Sequence, residues 1–262
     1  MRLLFIRHGD PDYTIDGLTD KGEREAQLLA GHIRALGIDE VYVSPLGRAR
    51  ITADHSLKEL GLAAVTLDWL REFPALLDTE HASDAVRAAY IHELKTDEET
   101  GKYKKRIVWD ILPSYFADHP ELFDVNGWRG SDIAKASNAV EAYDHIAESF
   151  DGFLKRNGYE RKGGSVYEVS KSNAKTIAFF CHFGITCVLL SRLWNVSPFT
   201  TLQFLCMAPT SVTEVVTEER EKGITIFRTL RIGDISHLTM ENEKPAFAAR
   251  FCERFENSDE RH

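Results

Sequence analysis

The chain has 262 residues, with 32 Lys and Arg against 41 Asp and Glu, a formal net charge of −9. Hydrophobic residues at 43% and charged residues at 28% exclude a largely disordered chain, and the length suffices for a sizeable core. The acidic balance excludes nucleic acid as a partner class, because such binding needs a basic face that displaces phosphate counterions.

The N-terminal run from Met1 to Ile6 meets Arg7 and His8 at once, which is too short an apolar stretch for a secretory leader. No segment approaches the roughly 18 consecutive apolar residues that span a bilayer. Cys181, Cys187, Cys206 and Cys252 make no C-x-x-C pair and read as reduced thiols, so a cytoplasmic protein is expected.

In chain order, a first strand is expected at 2–7, followed by a helix that Thr19 caps and Gly37 stops, with Ala26, Leu29, Ile33 and Leu36 as its apolar face. A second strand at 40–44 leads into a helix over 45–60, stopped by Gly61, and a third strand follows at 64–67. About a hundred residues then pass before the next strand, too many for a plain loop, so residues 74–170 are expected to form a largely helical insertion or cap. Its last helix spans 137–157, with Val140, Tyr143, Ile146, Phe150 and Phe153 in one stripe. Strands at 176–181, 211–217 and 224–230 complete the set, and those at 2–7, 64–67 and 176–181 are apolar throughout, as strands covered on both faces are. The alternation of strand and helix predicts an α/β fold: a three-layer αβα sandwich around a mostly parallel sheet. Its core would comprise residues 1–73 and 171–262.

Chemistry-bearing residues collect at the expected strand ends, where open α/β sheets bind ligands. Arg7, His8 and Gly9 stand at the end of the first strand, and His182 and Gly184 follow the fourth. Arg48 falls in the first turn of a helix, where a cation is unfavourable unless an anion sits between it and the helix end. Arg50 points elsewhere and reads as a surface residue. Glu72 follows the third strand region.

The ordered motifs R-H-G at 7–9, L-T-x-x-G at 18–22, S-P-x-x-R-A-x-x-T-A at 44–53, L-R-E at 70–72 and H-x-G at 182–184 resemble the histidine phosphatase, or phosphoglycerate-mutase-like, superfamily. The resemblance covers residues 1–73 and about 175–232. It implies a metal-independent phosphomonoester phosphatase that forms a phosphohistidine on His8. His8, Glu72 and His182 would be catalytic, with Glu72 donating the proton to the leaving oxygen and later activating water. Arg7, Arg48, His182 and Thr14 would hold the phosphate, and no cofactor or metal is implied.

Thr14 stands where many relatives have Asn, and Glu25 replaces a Gln and is expected at the surface. The altered flank after Glu72 leaves Asp68, Asp78 and Glu80 as alternative proton donors. Two rivals remain: a phosphoglycerate-type mutase, and a non-catalytic protein that binds phosphate ligands or partner proteins. The expected partner is a small phosphorylated metabolite, without nucleic acid or membrane. His81 and His92 read as surface residues, the basic run 102–106 as a solvated face, and the aromatic segment from Trp109 to Trp128 as the insertion's own core. Cys181 reads as a buried, inert thiol.

Overall fold

The computed structural model describes residues 1–90, 94, 96–248 and 254–257, so His92 and Cys252 lie outside the described residues. The main elements are strand β1 (Arg2–Arg7), helix α1 (Asp20–His32), β2 (Glu40–Val43), α2 (Gly47–Leu60), β3 (Ala64–Thr66), α3 (Ala139–Arg156), β4 (Tyr159–Gly163), β5 (Val166–Val169), β6 (Thr176–Cys181), α4 (Phe183–Trp194), β7 (Val212–Glu221) and β8 (Ile224–Asp234). These eight strands form one sheet in the order β3-β2-β6-β1-β7-β8-β5-β4. β3, β2, β6 and β1 pair in parallel, and from β1 to β7 onward the pairing is antiparallel.

The fold is thus the expected α/β sandwich, with its parallel strands in the half of the sheet that carries the motifs. Alternation along the strands explains the layers. Leu4, Ile6, Val41, Val43, Ala178 and Phe180 share one core with Leu29 of α1, Ile33 just after it and Ala53 of α2. On the other face Phe179 stacks on Phe5 at 5.5 Å and on Tyr42 at 5.6 Å, and Phe153 of α3 meets it edge-on at 5.2 Å. Each such side chain contributes about 1.5–3 kcal/mol by burial.

Two expectations need correction. The strand at 64–66 is apolar in sequence, yet it is the sheet's edge, and Val65 is exposed. Glu25 is fully buried rather than on the surface, because its carboxylate accepts backbone N–H groups from Asp10 and Ala246.

The chain divides into two compact units, one formed by Met1–Glu72, Asp151–Thr186 and the chain from Cys206 onward, the other by Phe73–Phe150 and Cys187–Leu205. The division differs from the expected core and insertion in two places. Residues 159–169 form a hairpin at the edge of the large sheet, and 187–205 group with the second unit.

The second unit holds short helices at Asp84–Ala88, Pro113–Asp118 and Asp132–Lys135 and a ladder of Leu76–Leu77 with Arg106–Ile107. Its aromatic residues pack among themselves: Trp128 is buried against Tyr143 at 5.3 Å and Phe199 at 5.9 Å, and Phe116 meets Phe123 at 5.0 Å. Among the described residues, no helix is long and apolar enough to cross a membrane.

Helix α1 starts where Thr19 accepts the Gly22 N–H at 3.0 Å and donates its hydroxyl to Asp10 at 2.7 Å. The loop after β1 presses on this first turn so closely that a Cβ on Gly22 would lie 2.2 Å from the Asp10 carbonyl oxygen. An unhindered helical Gly gains about 1 kcal/mol when changed to Ala. Gly22→Ala is instead expected to lose about 1–3 kcal/mol by overpacking. A urea titration reads the difference, and a raised midpoint would show that the contact is not tight.

Candidate active site

The register of two parallel strands builds the centre of the site. Arg7 of β1 pairs with Cys181 of β6, so the next residue on each strand, His8 and His182, emerges at the same level. Their ring centroids lie 5.0 Å apart. The neighbouring strand β2 ends one level lower, and Ser44, following it, places its Oγ 2.7 Å from His182 Nε2.

Arg7, His8, Arg48 and His182 are all buried, at 4%, 2%, 8% and 0% exposure. His8 Nδ1 lies 2.7 Å from the Gly9 carbonyl oxygen. A carbonyl can only accept, so Nδ1 carries the proton and the lone pair stays on Nε2. That Nε2 accepts from Arg48 Nε at 3.3 Å. Burial, followed by the charges of Arg7 and then Arg48, pushes His8 well below its ordinary pKa, against the opposing Gly9 hydrogen bond. His182 is lowered likewise by burial, His8 and the two arginines.

Arg7 donates Nη1 to the Met207 carbonyl at 2.6 Å, and burial lowers its pKa, opposed first by the charge of Glu72. Arg7 Nε and His182 Nδ1 are buried with no hydrogen-bond partner among the described residues. Polar atoms left so in a low-dielectric interior mark a place where a ligand's charge would be stabilised.

Glu72 is half-buried, and its Oε1 accepts the Ile185 N–H of the first turn of α4 at 3.0 Å. Its three alternatives are engaged elsewhere: Asp68 with Arg71, Asp78 with His81, and Glu80 with the Tyr103 N–H. His81 is exposed, as expected.

Thr14 is not brought to the other residues. It is exposed, and both its N–H and its hydroxyl bind Asp12. The short loop after R-H-G turns back at Asp12, so the side chain serves its own turn. Cys181 is buried and pushed up to about 12 by desolvation, so it is no nucleophile.

Three contributors escaped sequence reasoning as individual residues. Thr52 accepts the Gly9 N–H at 3.0 Å and donates to the Arg48 carbonyl at 2.8 Å, tying the R-H-G loop to α2. Ser44 holds His182. Both lie in the S-P-x-x-R-A-x-x-T motif, where their spacing was the available signal. The third is Asp16, whose carboxylate accepts Gly47 N–H and Arg48 Nη1, each at 2.6 Å. It is the anion that an arginine at a helix N-terminus requires, supplied by the chain itself. No sequence signal distinguished it from the other acidic residues of the loop.

The same fold occurs in several solved phosphatases. A mutant phosphoserine phosphatase of Entamoeba histolytica, solved with phosphoserine, superposes with a TM-score of 0.56 at 16% identity, over 90% of this chain and 98% of that one. A mycobacterial glucosyl-3-phosphoglycerate phosphatase gives 0.52 at 15% identity over 88% and 97%. The α-ribazole phosphatase of Shigella flexneri gives 0.51 at 17% identity over 90% and 97%.

Sequence carries the relation further: residues 3–105 match the histidine phosphatase superfamily (branch 1), the family that the motifs imply. The 2,3-bisphosphoglycerate-dependent phosphoglycerate mutases of Brucella ovis and Brucella suis are 34% identical over 70 residues, 22% of this chain. That match spans 34% of the mutases' own length.

The buried histidines make stability depend on pH. His8 and His182 lie well below 6.5, and His237, buried beside Thr210, is pushed down to about 4. The unfolded chain therefore takes up protons near pH 6.5 that the native chain refuses. Their contribution is full above that pH and is lost as pH falls, with each histidine adding up to about 1.4 kcal/mol per pH unit. Unfolding free energies between roughly pH 7 and 5 should fall accordingly, and more gently in His182→Ala. An identical slope in that variant would mean that native His182 is protonated.

Proposed function

We propose that this chain is a phosphatase that hydrolyses small phosphomonoesters through a phosphohistidine on His8. The observation that carries the reading is the fixed tautomer of His8: a neutral, buried imidazole with its Nε2 lone pair beside Arg48 and near His182. Such a nitrogen attacks phosphorus without first losing a proton. Arg7 and Arg48 offset the charge on the phosphoryl oxygens, and Arg7 Nε is a donor available for one of them.

If Ser44 donates its hydroxyl proton to His182 Nε2, the proton of that imidazole sits on Nδ1, which then donates to a second oxygen. Glu72, oriented by the Ile185 N–H and entering the step as the protonated acid, gives its proton to the leaving oxygen as the ester P–O bond breaks. After the alcohol leaves, Glu72 takes a proton from water, whose oxygen attacks phosphorus and releases His8. The cationic side chains supply the electrostatic stabilisation, so the reading requires no metal. Among the described residues no group of three or more His, Cys, Asp and Glu is placed to hold one.

Selection of the substrate is assigned to residues 74–170, where the motif resemblance ends. A cytoplasmic setting is part of this reading, on the cysteine spacing, which holds no C-x-x-C pair.

The mutase similarity defines the competing outcome. Assayed with p-nitrophenyl phosphate and a panel of phosphorylated metabolites, the protein should release phosphate in the presence of EDTA. His8→Ala should lose about 10²-fold or more in rate, and mass spectrometry should find an acid-labile phosphate on His8. Glu72→Gln should slow poor leaving groups most. Phosphate release independent of His8 would refute the reading, and isomerisation of phosphoglycerate faster than its hydrolysis would make the chain a mutase.

A further inference from the structure

We propose that Asp16 is the positioning residue of this site: it fixes the Arg48 guanidinium against His8 and neutralises part of its charge. The inference rests on the phosphohistidine reading.

Helix α2 begins badly on its own terms. Leu46 at its N-cap offers no side-chain acceptor, and the second helical residue is an arginine that the helix dipole repels. Asp16 answers both defects at once, with Oδ2 on the Gly47 N–H and Oδ1 on Arg48 Nη1. The same guanidinium reaches His8 through Nε, so its orientation toward the nucleophile is set from two sides.

The loop carrying Asp16 is itself pinned. Asp16 has a left-handed φ of 48°, a conformation that Asp tolerates better than most residues. Its carbonyl oxygen lies where a Cβ on Gly47 would approach to 2.2 Å. Pro11 and Asp12 pair with Leu18 and Gly17 to close the loop, and the Tyr13 ring lies 5.4 Å from the Arg48 guanidinium carbon.

Two consequences of opposite sign follow. Holding Arg48 in place favours transfer, because misplacement by about 1 Å can cost 10²-fold in rate. The carboxylate also cancels one of the two arginine charges that a phosphate dianion would meet, which weakens ground-state binding. A purely structural residue would change neither in this paired way.

The test combines kinetics on p-nitrophenyl phosphate with calorimetric Kd values for inorganic phosphate. It uses wild type, Asp16→Asn, Asp16→Ala, Arg48→Ala and the double variant Asp16→Ala/Arg48→Ala. Asp16→Asn keeps the shape and one acceptor oxygen. It should lower kcat by about tenfold while tightening phosphate several-fold, on the order of the charge effects of single groups. Asp16→Ala should lower kcat by about 10²-fold, and the double variant should match Arg48→Ala within about twofold because the residues act as one unit.

Losses that multiply in full, or an Asp16→Asn protein with wild-type kcat and phosphate Kd, would overturn the proposal. Thermal melts separate unfolding from these effects, and a folded Asp16→Asn alone suffices for the decision. Wild-type turnover that is indifferent to His8 would remove the phosphatase reading while leaving the Asp16 and Arg48 coupling readable in phosphate Kd. Absence of phosphate binding by the wild type would remove both.

Discussion

The site depends on one register. Arg7 opposite Cys181 across two parallel strands puts two imidazoles side by side at a sheet edge, and every other group is arranged around them. A shift of one residue would turn His182 to the opposite face, since side chains alternate along a strand. The register is enforced by burial: Leu4, Ile6, Ala178 and Phe180 face one helical layer, while Phe5 and Phe179 face the other. The geometry of the candidate site is therefore secured by buried apolar contacts along the same strands.

The second constraint is electrostatic. Two arginines and two histidines occupy a region almost without solvent, where like charges repel strongly. The structure resolves this by keeping both histidines neutral and by surrounding the guanidinium groups with oxygen. Arg7 has the Met207 carbonyl and the field of Glu72, and Arg48 has Asp16. The neutral state of His8 thus comes from the same burial that makes the cations costly.

Much of this was legible in the sequence because it follows local rules. Apolar runs ending in Arg-His-Gly and Cys-His-Phe-Gly announce strand ends that carry polar side chains; Thr19 and Gly61 mark helix boundaries where the structure has them, while α1 stops at His32 and Gly37 closes the 3-10 turn Ile33–Leu36 that follows. What escaped depended on partners distant in sequence. Ala64–Thr66 looks buried but lies at an edge, because the sheet order is not written in a single strand. The hairpin at 159–169 is polar and short, so its place in the large sheet gave no apolar signal. Motif position alone points Thr14 at the phosphate, whereas its N–H and hydroxyl both donate to Asp12 within its own turn. Asp16 was one acid among several until the start of α2 was placed beside it.

Glu25 shows how a departure from the pattern that the motifs resemble can be chemically specific. Its two oxygens each receive one backbone N–H, from Asp10 beside the R-H-G loop and from Ala246 near the far end of the chain. A glutamine has a single acceptor oxygen, and its amide would confront one of those donors with another donor. The acid is thus matched to a chain whose C-terminal segment returns to α1. Exchange to glutamine would break one of the two ties and free either the loop or the returning segment. Two parts of the sequence more than two hundred residues apart are in this way tied through one carboxylate.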